Sequence, residues 1–241
     1  MYAEAYQRGQ ARVVQFMEGR DPETPVPATP EWTALDVLRH LTGLSVDLSN
    51  LVLEGFASDE WTDRQVSSRR GMSFEEVITE WDNIVGPASV LLDAIDDLGL
   101  PEAIPSAAGL ISIKAVPAMA IGDILHHEFD LRNAFGDTDG RGTLDVQFSA
   151  AGHVKSLRSP FDIADLDTIR VEASDSGMGW DIGYGEPVAT CSATSFELMR
   201  AIGGRRTKGE MSAMGWTGDP EPFLDYMVLP HLSVRETSLG E

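Results

Sequence analysis

The sequence predicts a two-domain α+β protein. A four-helix bundle over residues 1–140 precedes a small α+β domain with an antiparallel sheet over residues 141–241. Three observations carry this expectation. Four long segments with apolar residues three or four apart fill the chain as far as Gly136. Gly136-Asp137-Thr138-Asp139-Gly140 then reads as a helix stop and a loop. Beyond it come short runs such as Thr168-Ile169-Arg170-Val171-Glu172-Ala173, which alternate apolar and polar as a half-buried strand does.

The first helix spans residues 3–19, with Val13, Phe16 and Met17 at helical spacing and Gly19 as its stop. Four prolines between Asp21 and Trp32 exclude helix or central strand there, so this stretch is an extended connector. The second helix runs from about Thr33 to Gly55, started by Thr33 with Asp36 and buried along Leu35, Leu38, Leu41, Leu44, Leu48, Leu51 and Val52. Residues 56–72 are polar and read as a loop. Ser73 and Glu76 form a capping box for a third helix that reaches about Leu98, with a kink expected at Gly86-Pro87. A long connection with extended backbone leads to the fourth helix, which starts after Pro117 and ends near Gly136. In the second half, residues 144–157 are a helical patch. Strands follow near 168–173, 177–184 and 187–193, then a helix from Ser195 to Ile202 and a last helix from about Glu221 to Met227.

Hydrophobic residues make up 42% of the 241, enough for a packed core. The formal net charge of -21 repels phosphate backbones and argues against nucleic acid as a partner. Cys191 is the only cysteine, which rules out an internal disulfide, a cysteine zinc cluster or a C-x-x-C pair, and fits a reducing cytoplasm. The first residues lack the pattern of a signal peptide, and no run of about 18 apolar residues offers a membrane span.

The fourth helix carries Asp123 and His127 four residues apart, hence on one face. A carboxylate and an imidazole so placed can reach one divalent cation. If the first domain is a bundle, His40 on the second helix can join them in its core. Two histidines and one carboxylate leave coordination positions open, which is the catalytic pattern for zinc; Fe(II), Ni(II) or Mn(II) could use the same ligands. Asp130, one turn beyond His127, is placed to orient an imidazole. His126 points about a quarter turn away and reads as surface or boundary.

These segments carry a family resemblance. Trp32-Thr33-Ala34-Leu35-Asp36-Val37-Leu38-Arg39-His40-Leu41 and Asp123-x-x-x-His127-x-x-Asp130-Leu131-x-x-Ala134-x-Gly136 resemble the mycothiol-dependent maleylpyruvate isomerase family, itself similar to DinB-like metal-binding four-helix bundles. In the second half, Thr194-Ser195-Phe196-Glu197-Leu198, Gly203-Gly204-Arg205-Arg206 and Trp216-Thr217-Gly218-Asp219 resemble the family's sterol-carrier-like C-terminal domain. The resemblance implies metal ligands at His40, Asp123 and His127, and a functional arginine at Arg205 or Arg206 to bind a carboxylate of thiol or substrate. The family usually has Glu where this chain has Asp123, and Trp where it has Phe129. What is implied is a zinc-dependent isomerase or S-transferase that uses mycothiol as cosubstrate and acts on a small electrophile, as a monomer or homodimer. A metal-dependent hydrolase on the same bundle, or a metal- or ligand-binding protein without activity, are the alternatives.

Overall fold

The computed structural model describes residues 1–241 and divides into two compact units, Met1–Asp137 and Thr138–Glu241. The first unit is built on four long helices: α1 (Tyr2–Met17), α2 (Ala34–Ser49), α4 (Phe74–Ala94) and α5 (Val116–Ala134), with a short α3 (Asp59–Ser67) between the second and third of them. Helix α1 packs against α4 and α5, and α2 packs against the same two. Gly9 lets α1 approach α5 closely, for a Cβ there would sit 3.0 Å from Ile124. A polar hub ties three of the helices. Buried Ser45 on α2 donates to Leu41 O at 3.1 Å and receives the Trp81 indole N–H at 2.9 Å, while the Tyr6 hydroxyl lies 2.9 Å away. Every polar group of the hub is thereby paired, as a buried site requires.

Helix α2 begins as expected. The Thr33 hydroxyl accepts from Asp36 N at 3.3 Å, and Asp36 accepts in return from Thr33 N at 3.3 Å. It ends at Ser49 rather than Gly55. Val52 N bonds back to Asp47 O and Leu51 takes a φ of 55°, a Schellman-type close with leucine in the position glycine usually holds. Leu51 and Val52 therefore leave the buried stripe and are exposed.

The polar stretch 56–72 is not all loop. Ser58 caps α3 by accepting from Trp61 N at 3.3 Å, and Asp59 and Glu60 sit in its first turn, where the helix dipole favours acids. Only Trp61, Gln65 and Val66 of this helix are buried, too few to show a stripe. The Ser73–Glu76 capping box forms, and α4 then continues unbroken through Pro87. The expected extended backbone before α5 is a hairpin, β1 (Ala103–Ser106) paired antiparallel with β2 (Gly109–Ser112). Pro117 lies in the first turn of α5, where its missing N–H costs no helical bond.

The second unit contains α6 (Leu144–Ser156), α7 (Arg158–Ile163), α8 (Ser195–Ile202), α9 (Lys208–Ser212) and a four-stranded sheet. The strands are β3 (Ile169–Ala173), β4 (Met178–Ile182), β5 (Ala189–Ala193) and β6 (Gly215–Thr217), in the order β4-β3-β5-β6. The sheet is mixed: β3 runs antiparallel to β4 and parallel to β5, and β5 antiparallel to β6. Ile169, Val171 and Cys191 face a core shared with Val154, Phe161, Leu198 and Ile202. The last helix expected at 221–227 is only a 3-10 turn, Leu224–Tyr226. Pro220 and Pro222 lie before that turn and Pro230 after it, which leaves no room for a longer ladder. No helix of the structure is long and apolar enough to cross a membrane.

Candidate metal centre

Within the first unit α2 and α5 bring His40, Asp123 and His127 together, with one ligand atom from each lying within 4.8 Å of the others. His40 Nε2 is 3.0 Å from Asp123 Oδ2, and His127 Nε2 is 3.7 Å from Asp123 Oδ1. The two imidazole rings meet edge to face, with centroids 4.9 Å apart. Both histidines are buried, whereas the Asp123 side chain is 34% exposed, so the carboxylate forms the solvent-side wall.

Each imidazole has a second partner behind it. His40 Nδ1 lies 2.8 Å from Gln65 Oε1 on α3. His127 Nδ1 lies 3.2 Å from the fully buried Asp130, although the angle between them is not that of a hydrogen bond. Gln65 in turn donates from Nε2 to Asp47 at 2.7 Å, and Asp47 also receives Arg64 at 3.1 Å. Gly43 makes the approach of α3 possible, for a Cβ there would fall 2.4 Å from Gln65 Cβ. The ring of Trp32, delivered by the proline-rich connector, covers the pair at 5.4 Å from His40 and 6.0 Å from His127. Burial pushes the nearby Tyr6 phenol above its ordinary pKa, with the Asp123 charge adding to the effect.

The donor set suits a divalent cation. A tetrahedral site with bonds of about 2.0–2.1 Å holds its ligand atoms roughly 3.3–3.4 Å apart. His40 lies 3.0 Å from one Asp123 oxygen and His127 3.7 Å from the other, near that spacing, and one ligand atom from each residue lies within 4.8 Å of the others. The Gln65 oxygen behind His40 is also the arrangement by which proteins orient histidine ligands, and Asp130 stands close behind His127 without hydrogen-bond geometry. The expected quartet of His40, Asp123, His127 and Asp130 thus lies in one place.

His126, expected at the surface or boundary, is instead buried. Gln65, Asp47 and the capping role of Trp32 escaped the sequence reading. Their signal was the polar and small stripe His40, Gly43 and Asp47, at i, i+3 and i+7 on the buried side of the helix.

The two arginines singled out in the second unit differ sharply. Arg206 is buried and committed: it donates to Glu197 at 2.7 and 3.0 Å and to Glu241 at 2.6 Å. Burial works against its charge, but Glu197 and Glu241 outweigh burial and hold its pKa above the ordinary value. Glu241 is shared with Arg200, which is itself fully buried. Arg205 is half-buried and donates to Gly203 O at 2.8 Å.

A helical bundle with two histidines and a carboxylate converging between two of its helices defines a class of domain suited to holding a divalent cation. The family model described as the mycothiol maleylpyruvate isomerase N-terminal domain matches residues 4–132, and the chain belongs to that family. The fold is similar to the crystal structure of the mycothiol-dependent maleylpyruvate isomerase, at a TM-score of 0.60 and 12% identity over 85% of this chain and 88% of that one. A histidine-to-alanine mutant of that enzyme matches at the same TM-score and identity, over 84% of this chain and 88% of that one. No curated protein matches the sequence.

Proposed function

We propose that this protein is a metal- and thiol-dependent enzyme of the maleylpyruvate isomerase type, with His40, Asp123 and His127 as the metal ligands. The observation that carries this reading is the convergence of those three side chains, two of them buried, in a chain whose family model is that of a mycothiol-dependent isomerase. Two histidines and a carboxylate with an open position are the ligand pattern of catalytic zinc, which we take as the cation, and mycothiol is the thiol the family points to. When bound, the cation would hold a small thiol as its thiolate, whose addition to a cis double bond, rotation and elimination would return the trans isomer.

The chain's own residues do the rest. His40, Asp123 and His127 hold the cation; Gln65 and Asp130 support the two imidazoles from behind; the Trp32 ring keeps water off them. The thiol must come from outside the chain. Cys191 lies in the core of the second unit, and burial pushes its thiol up to about 12. An arginine at Arg205 or Arg206 would bind a ligand carboxylate, and Arg206 would have to exchange its pairing with Glu197 and Glu241 to do so. We read residues 1–140 as the metal-binding domain and 141–241 as a sterol-carrier-like domain, working in the cytoplasm on a small electrophile.

Metal analysis of protein purified without chelator, followed by turnover assays with and without added thiol, tests the reading. Bound zinc and thiol-dependent isomerisation are expected. His127→Ala should lose the metal, and unchanged metal stoichiometry in that variant would refute the ligand assignment. Turnover independent of thiol would point instead to a hydrolase on the same bundle.

A further inference from the structure

We propose that Asp47 and Gln65 act as a positioning relay that holds His40 in the tautomer protonated on Nδ1, so that its Nε2 lone pair faces the cation. The proposal rests on reading His40 as a metal ligand. It goes further by assigning a task to two residues that touch no cation.

The hydrogen-bond inventory fixes the direction of the relay. An ionised carboxylate only accepts. Asp47 therefore faces the amide nitrogen of Gln65, at 2.7 Å, and leaves the amide oxygen pointing at His40. That oxygen also only accepts, so its bond to the His40 nitrogen 2.8 Å away needs a proton on that nitrogen. A flipped Gln65 would put its oxygen against the Asp47 carboxylate, where two acceptors repel and the 2.7 Å bond is lost, so the Asp47 charge holds the amide in this orientation. Arg64, at 3.1 Å, donates to the same Asp47 oxygen and holds it in place.

The relay matters because Asp123 competes for the same proton. Its carboxylate lies 3.0 Å from His40 Nε2 and by itself favours a proton there. A proton on Nε2 would occupy the lone pair that a cation needs. Gln65 and Asp47 oppose this by making Nδ1 the protonated nitrogen. Both are buried, so water does not easily replace either one. Their placement is built into the helices: His40, Gly43 and Asp47 share one face of α2, and Gly43 is the gap that admits Gln65.

The test has a readout in the metal-free protein and one with zinc alone. Two-bond proton–nitrogen correlation spectra of nitrogen-15-labelled full-length protein, stripped of metal and held near pH 9 where imidazole is neutral, report which His40 nitrogen is protonated. The wild type should show Nδ1–H. Gln65→Leu should shift the proton to Nε2 and lower zinc affinity about 10–100-fold in chelator competition. The double variant Asp47→Asn with Gln65→Glu rebuilds the relay with donor and acceptor exchanged, and should restore both properties.

Nε2–H in the wild type overturns the proposal whether or not any variant folds. So does Nδ1–H persisting in a folded Gln65→Leu, or a folded double variant that restores neither property. If the wild type shows Nδ1–H, Gln65→Leu shows Nε2–H and neither binds zinc, the relay stands and the reading of His40 as a metal ligand fails.

Discussion

Asp123 is the residue on which the proposed chemistry turns. It is one methylene shorter than the glutamate usual in the family, yet its two oxygens already lie 3.0 and 3.7 Å from the two Nε2 atoms. The shorter side chain thus still reaches both imidazoles, one with each oxygen. Asp123→Asn keeps the shape and removes the charge. Zinc affinity should fall at least about tenfold, while the urea midpoint stays nearly unchanged because the side chain is partly exposed. A large drop in stability with unchanged zinc affinity would mean that the carboxylate serves the fold instead. Cys191 makes the opposite case. Buried in the sheet with its thiol pushed up to about 12, it should stay unreactive toward an aromatic disulfide reagent until the protein is unfolded. Four of the residues gathered at the site were legible in the sequence: Asp123, His127 and Asp130 from their helical spacing, and His40 from the apolar stripe of a second helix. Gln65 was not, since a glutamine carries no such signal until its neighbours are known.

Helices were easier to read than their ends or their shorter companions. The four long helices follow from apolar spacing and from two capping boxes, at Thr33–Asp36 and Ser73–Glu76, whose side-chain chemistry is local. The close of α2 was missed because Leu51 takes the left-handed position that a glycine would have advertised. Helix α3 was missed because nine residues cannot display a repeating stripe, and its place is set by tertiary packing on α2. That packing depends on Gly43, which gives the element its own prediction. In Gly43→Ala the new Cβ would lie 2.4 Å from Gln65 Cβ and 2.9 Å from the Arg69 guanidinium, so α3 must move outward. The expected loss is on the order of 1–3 kcal/mol of stability, the range for overpacking a filled site. Zinc affinity should fall with it, because the displaced helix carries Gln65 away from His40. Intact affinity in a destabilised Gly43→Ala would separate the packing of α3 from the metal site.

At the scale of the whole molecule the two halves were distinguishable from the change in periodicity after Gly140, but the parallel pairing of β3 with β5 was not. Sequence alternation reports which residues face inward, not which neighbour a strand chooses. The second unit also contains a pH liability that the sequence could not show. His153 on α6 is buried; its Nδ1 lies 2.8 Å from Ser149 O. Burial lowers its pKa to about 4, against the hydrogen bond to Ser149, and the charges of Arg205 and His231 lower it further. The folded value thus lies below the value of about 6.5 expected for the unfolded chain. As pH falls from 6.5 toward 4 the unfolded chain takes up the proton first, so the stability held by neutral His153 is complete above pH 6.5 and is lost on acidification. Between pH 7.5 and 5 that loss is about 2 kcal/mol. The net charge of -21 pulls the other way, because protonating carboxylates relieves self-repulsion in the compact state. The total pH slope therefore mixes both effects, and the comparison must be made against a variant. His153→Leu keeps the acidic surface and removes only the titrating group. Urea unfolding followed at Trp180 and Trp216, with the tryptophans of the first unit replaced by phenylalanine, should show the His153 protein losing about 2 kcal/mol more than the variant over that interval. Parallel pH profiles for the two proteins would mean that His153 is protonated as easily in the folded state as in the unfolded chain.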